Sequence, residues 1–134
     1  MSSQAKPPIW ARPEPRSRGL SRKQIVETAL KIADEEGLAE VSIRRIAREL
    51  RSGAMSLYHY FDSRDELLDL MGDTVAAGML VPDLPTGWRD ALHAIAAHTR
   101  ATFLHHPWML STLQDRPRVS PNPCLLYTSP SPRD

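Results

Sequence analysis

A chain of 134 residues has room for one domain, or for a small domain and part of a second. Its formal charge of +1 is unevenly spread: residues 1–64 hold 12 Lys or Arg against 8 Asp or Glu, and residues 65–134 hold 5 against 8, so the N-terminal half is the part suited to a polyanion. The lone cysteine, Cys124, excludes an intramolecular disulfide and a thiolate zinc cluster; no apolar run approaches the roughly 20 residues of a membrane span, and the start lacks the apolar core of a signal peptide, which points to a cytoplasmic protein without a membrane partner.

Residues 1–19 set Pro7, Pro8, Pro13 and Pro15 among Lys6, Arg12, Arg16 and Arg18, and this composition predicts a flexible basic arm. A first helix is predicted over Ser21–Glu36, where Ile25, Ala29, Ile32 and Ala33 recur at the helical period. Ser21 and Gln24 form a capping box at its start, and Gly37 supplies the turn that ends it. Asp34, Glu35 and Glu36 sit at the negative end of its dipole, so packing and propensity must outweigh them.

A second, short helix runs from the N-cap Ser42 to Leu50, burying Ile43, Ile46, Ala47 and Leu50, and a third covers Ala54–Tyr60. Ser63 and Glu66 read as another capping box, before a fourth helix carrying Leu67, Leu68, Met71, Val75 and Met79 and stopped by Pro82 and Pro85. A fifth helix follows from about Thr86 to His105, with Trp88, Leu92, Ile95, Thr99 and Phe103 on one face, and a sixth restarts after Pro107 and ends near Gln114. No segment alternates with period two, so the fold class is all-α.

The second and third helices, joined by a short turn, have the form of a helix-turn-helix, whose second helix enters the major groove. Three stretches sharpen the pattern: Ile25 to Leu30, Ser42 to Leu50, and Ser56-Leu57-Tyr58-His59-Tyr60-Phe61 running on to Leu68. Together, over about residues 20–80, they resemble the DNA-binding domain of TetR-family repressors. Tyr58 and Tyr60 are suited to hydrogen-bond phosphate oxygens, although both also fit ordinary half-buried aromatics. Leu57 and Phe61 anchor the helix, leaving Ala54, Met55, Ser56 and His59 toward the bases. The resemblance places Ser42 and Arg44 where the preceding helix meets phosphate or base, and Arg64 where the family commonly has a phosphate-binding lysine. Arg22 and Lys23 add nonspecific attraction, while Arg45 and Arg48 suit either a DNA contact or a solvated face.

One departure from the family pattern concerns the turn: Arg51 and Ser52 stand where a glycine and a small apolar residue are usual, and Gly53 comes two places late. Unless the turn shifts, Arg51 takes the left-handed conformation at a cost of roughly 1 kcal/mol; it can also add a phosphate contact.

Residues 86–122 resemble the opening helices of the family's ligand-binding and dimerising domain, nearest the tetracycline-repressor subgroup. Trp88, Phe103, Trp108 and Met109 suit either an apolar effector pocket or plain core. No metal site and no cofactor are expected: His93 and His98 are off-face from each other, adjacent His105 and His106 should diverge, and Thr112 stands where tetracycline repressors hold a metal-ligating histidine. Residues 124–134, Cys124 to Asp134, resemble the translation of a transposase-type sequencing adapter and read as a fusion scar.

The resemblance thus implies a ligand-released repressor: a homodimer on a double-stranded DNA operator, freed by a small-molecule effector. The chain reads as a fragment lacking most of the dimerising half, expected to be largely monomeric and to bind operator weakly. No residue set combines nucleophile, base and orienter, so no enzymatic activity is expected.

Overall fold

The computed structural model describes residues 6–15 and 19–115. Arg16, Arg18 and the adapter-like segment 124–134 lie outside the described residues. Among the described residues every regular element is helical: α1 (Arg22–Glu36), α2 (Ile43–Glu49), α3 (Ala54–Tyr58), α4 (Arg64–Gly78), α5 (Trp88–His105) and α6 (Met109–Asp115), with 3-10 turns at Ile9–Ala11 and Leu38–Glu40. No helix among them is long and apolar enough to cross a membrane.

Local chemistry fixes the ends of α1. The Ser21 hydroxyl accepts from the Gln24 amide at 3.2 Å, and the Gln24 side-chain oxygen accepts from the Ser21 amide at 3.0 Å. At the other end Gly37, at φ 98° and ψ 161°, donates its amide to Ala33 O. That backbone region is nearly closed to any residue with a Cβ. The predicted box at α4 is only half formed: Ser63 Oγ accepts from the Glu66 amide, but the Glu66 carboxylate takes the Asp62 amide and the Arg12 guanidinium instead of the Ser63 amide.

The turn between α2 and α3 closes as the sequence suggested, with Arg51 at φ 51°. Its amide donates to Arg48 O and that of Ser52 to Ala47 O, the paired bonds of a Schellman cap. Gly53 keeps a negative φ of −73° and serves as the N-cap of α3. Two carbonyls of α2 are thereby satisfied while Arg51 carries the strain.

The core gathers Ile25, Ala29 and Ile32 of α1, Ile43 and Ile46 of α2, Leu57 of α3, Phe61 after it, and Leu67, Leu68 and Met71 of α4. Fully burying side chains of this size contributes about 1.5–3 kcal/mol each, which is how helices as short as α2 and α3 persist when isolated helices of that length would not.

Residues 6–15 depart from the expected flexible arm. Ile9 is buried in the core and Trp10 packs beside it. Lys6 pairs with Asp62, and Arg12 spans Asp62 and Glu66. Arg22 Nη1 also donates to Arg12 O at 3.0 Å. The proline and arginine content concealed one apolar pair, Ile9-Trp10, and two acids able to receive the cations.

The second portion docks through one end. Trp108 and Met109 join the core, and Phe103 packs against it. The Trp108 indole donates to Asp34 Oδ1 at 2.8 Å, and His106 Nδ1 meets the same oxygen at 2.7 Å. The acids at the end of α1 are thus compensated: Asp34 by these two rings, Glu36 by Arg45 at 2.8 Å. Of the four residues suited to a pocket or to core, Trp108 and Met109 are core, Phe103 is partly buried against it, and Trp88 is 71% exposed. The rest of α5 leaves Leu92, Ile95 and Leu104 open to solvent.

Candidate nucleic-acid interface

Helix α3 is held from below. Leu57, Tyr60 and Phe61 point into the core, and the amides of Tyr60 and Phe61 both donate to Leu57 O. With that face buried, Met55 (75% exposed), Tyr58 (48%) and His59 turn outward, and Ser56 and Ala54 sit half-buried at the edge. Met55, Tyr58 and His59 are thus exposed at α3, while Ala54 packs against the core.

Tyr60 is a correction to the sequence reading. It is 2% exposed, and its hydroxyl donates to Leu20 O at 2.6 Å. Its one donor proton is spent inside the fold, so it fixes the start of α1 against the end of α3 rather than facing a phosphate. The sequence suited both hydroxyls to phosphate; α3 ends at Tyr58, and the Tyr60 hydroxyl meets a backbone carbonyl instead.

Arg64 is also occupied. Its Nε donates to Val41 O at 2.7 Å and Nη2 to Leu38 O at 2.8 Å, bracing the α1–α2 connection from the start of α4. The residue stays exposed at the surface. Ser42 caps α2 by accepting from the Arg45 amide at 3.1 Å, which leaves its O–H proton free to donate outward.

The arginines of α2 separate into two kinds. Arg45 is locked between Glu36 at 2.8 Å and Glu49 at 2.6 Å, and these hydrogen bonds, Glu49's first, raise its pKa above the ordinary value. Arg44, Arg48 and Arg51 are exposed, and among the described residues none of the three is held in an ion pair. The sequence left Arg45 and Arg48 equivalent; the acids that distinguish them are the helical neighbour Glu49 and, across the fold, Glu36.

The surface therefore combines a short helix locked from beneath, apolar and hydrogen-bonding groups on its outer face, and three uncommitted guanidinium groups beside it. Arginine forks suit phosphate or guanine, Ser and His suit a base edge, and an exposed methionine suits a thymine methyl.

The chain is similar to known proteins over most of its length. A family profile described as "Bacterial regulatory proteins, tetR family" matches residues 25–71, and one described as "Tetracyclin repressor-like, C-terminal domain" matches residues 81–128. The HTH-type transcriptional repressor DrrR1 of Streptomyces coeruleorubidus is 45% identical over 120 residues, covering 85% of this chain and 44% of the repressor. Among solved structures, the Streptomyces coelicolor TetR family protein ActR in complex with actinorhodin is 38% identical with a TM-score of 0.72, covering 81% of this chain and 52% of ActR. BioQ with its double-stranded DNA operator is 32% identical with a TM-score of 0.59, covering 65% of this chain and 52% of BioQ. The chain spans about half the length of the curated relatives it matches. Two profiles of one family, lying end to end over a helix-turn-helix and the helices that follow it, establish that the chain belongs to the TetR family of bacterial regulatory proteins.

Proposed function

We propose that this chain is the DNA-reading part of a cytoplasmic, ligand-released transcriptional repressor. The observation that carries the reading is the outward face of α3, with Met55, Tyr58 and His59 exposed above a buried anchor and Arg44, Arg48 and Arg51 unpaired beside it. Ser42, Arg44, Ala54, Met55, Ser56, Tyr58 and His59 contact the duplex; Arg48 and Arg51 add phosphate contacts; Tyr60 and Arg64 hold the surface in shape. Base readout from so few polar groups is thin, so DNA shape contributes to recognition.

Repression is supported by the relative named a repressor, and effector release by the ActR complex with actinorhodin. The family is one of regulators, so the reading assigns DNA binding and no catalysis. In the longer regulator, further helices cover the apolar face of α5 at Trp88, Leu92 and Ile95 and join two subunits, so that two α3 helices meet successive major grooves. The chain by itself binds one half-site and is mainly monomeric. Enrichment of bound duplexes from a random pool tests the reading: one recurring half-site sequence supports it, and no enrichment over an unrelated acidic polymer contradicts it.

A further inference from the structure

Asp34, at the last turn of α1, meets His105 and His106 at the end of α5. One ring nitrogen from each histidine and one carboxylate oxygen lie within 4.8 Å of one another. The two rings stand edge to face with centroids 4.6 Å apart. Neighbours in sequence come together because His106 has left the helix, at φ −120° and ψ 67°, and this undoes the divergence that helical geometry imposes on adjacent positions.

We propose that Asp34, His105 and His106 form a binding site for a divalent transition-metal ion of the zinc class. Two imidazoles and one carboxylate are borderline donors that suit zinc or nickel and offer little to magnesium or calcium, which take oxygen ligands. Around zinc, with bonds of about 2.0–2.2 Å, neighbouring ligand atoms stand about 3.3 Å apart, so His106 Nδ1 and Asp34 Oδ1, in contact at 2.7 Å, move slightly apart and the widest separation, at most 4.8 Å, closes. The Asp34 and His106 side chains are 21% and 17% exposed, and His105 faces solvent, so the ion has a supported side and an open side on which water completes its coordination. The Trp108 indole orients the carboxylate from behind, as outer partners of metal ligands do. A cleft of about 410 Å3 between α4 and α5 reaches both histidines. The bound ion would brace α1, the first helix of the DNA-binding domain, against the end of α5. The site does not depend on the DNA-binding assignment.

The test is calorimetric titration of the untagged, chelator-dialysed 134-residue chain with zinc chloride, alongside His105→Ala, His106→Ala and the control His93→Ala. The expected result is one zinc bound in the micromolar range, weakened at least tenfold by either His105→Ala or His106→Ala and unchanged by His93→Ala. The thermal midpoint should also rise with zinc in the unmutated chain and in His93→Ala, and not in His105→Ala or His106→Ala. Nitrogen-detected NMR of the histidine rings gives a second readout on the unaltered protein, in which His105 and His106 should shift and His59 should not. Zinc binding insensitive to both substitutions, ring signals that stay in place, or magnesium binding as tightly as zinc would each overturn the assignment.

Discussion

The Tyr60 hydroxyl donates a 2.6 Å hydrogen bond to the Leu20 carbonyl, tying the residue just past α3 to the residue just before α1. Tyr58, two positions earlier, is 48% exposed. The two tyrosines therefore separate under the same substitution. Tyr60→Phe should lower unfolding free energy by about 1 kcal/mol, the usual value of one such bond, whereas Tyr58→Phe should leave stability unchanged and weaken duplex binding about fivefold. Urea unfolding and fluorescence anisotropy measure the two effects. The reverse pattern would contradict the placement.

Arg51 occupies a left-handed position, φ 51°, within a Schellman cap. Glycine adopts that conformation without a Cβ clash, so Arg51→Gly should stabilise the domain by about 0.5–1 kcal/mol. The same change removes one exposed guanidinium beside α3 and should reduce the salt dependence of DNA affinity. Chemical denaturation that finds the variant less stable would show that the arginine side chain contributes more than its backbone costs.

The N-terminal strap rests on Ile9 and on the pairs from Lys6 and Arg12 to Asp62 and Glu66. The Lys6 hydrogen bond, followed by the charges of Lys6 and Arg12, holds the Asp62 carboxyl below its ordinary pKa. A depressed carboxyl stabilises the folded state fully above the unfolded value near ~3.9 and loses that contribution as pH falls through the folded value. Docking should therefore be constant across neutral pH and weaken only in strong acid, while salt weakens it throughout because Asp62 is exposed. Ile9→Ala should loosen the strap by roughly 2 kcal/mol. Amide exchange at Ala11 and Arg12, which donate to Pro8 O and Ile9 O, reports undocking; equal exchange in the variant would contradict it.

The Trp108 indole joins the second portion to Asp34, whereas Trp88 is largely in solvent. Trp108→Phe keeps an aromatic ring but deletes the donor and part of the buried volume, and should cost more than the roughly 1 kcal/mol of the hydrogen bond alone. Trp88→Ala should change the stability of this chain by less than about 0.5 kcal/mol, as exposed sites do. Thermal unfolding of both variants separates the core tryptophan from the exposed one.

The helices were legible because their signals are local: Ser21 with Gln24, the four-residue recurrence from Ile25, and the prolines at 82 and 85 act within a few residues. Arg51 was legible through the family resemblance, whose pattern has a glycine at that place in the turn, so the residue standing there takes the strain. What escaped depends on pairs far apart in sequence. Tyr60 reaches back 40 positions to Leu20, Arg64 reaches 26 to Leu38, and Asp34 waits 74 positions for Trp108. No periodicity encodes those distances. The strap was hidden by composition: Pro7, Pro8 and Pro13 suggested disorder, and the apolar pair between them was too short to register as a pattern.

The central claim is that the outer face of α3 and the exposed arginines beside it hold a DNA duplex. The affinity of the chain for a selected half-site duplex, followed from low to physiological salt, tests it most directly when Arg44→Ala and Arg48→Ala are measured alongside. The account predicts a steep fall of affinity with salt in the unmutated chain and a log–log slope shallower by about 1 in each variant. A flat salt profile, or variants that bind with unchanged affinity and slope, would contradict it.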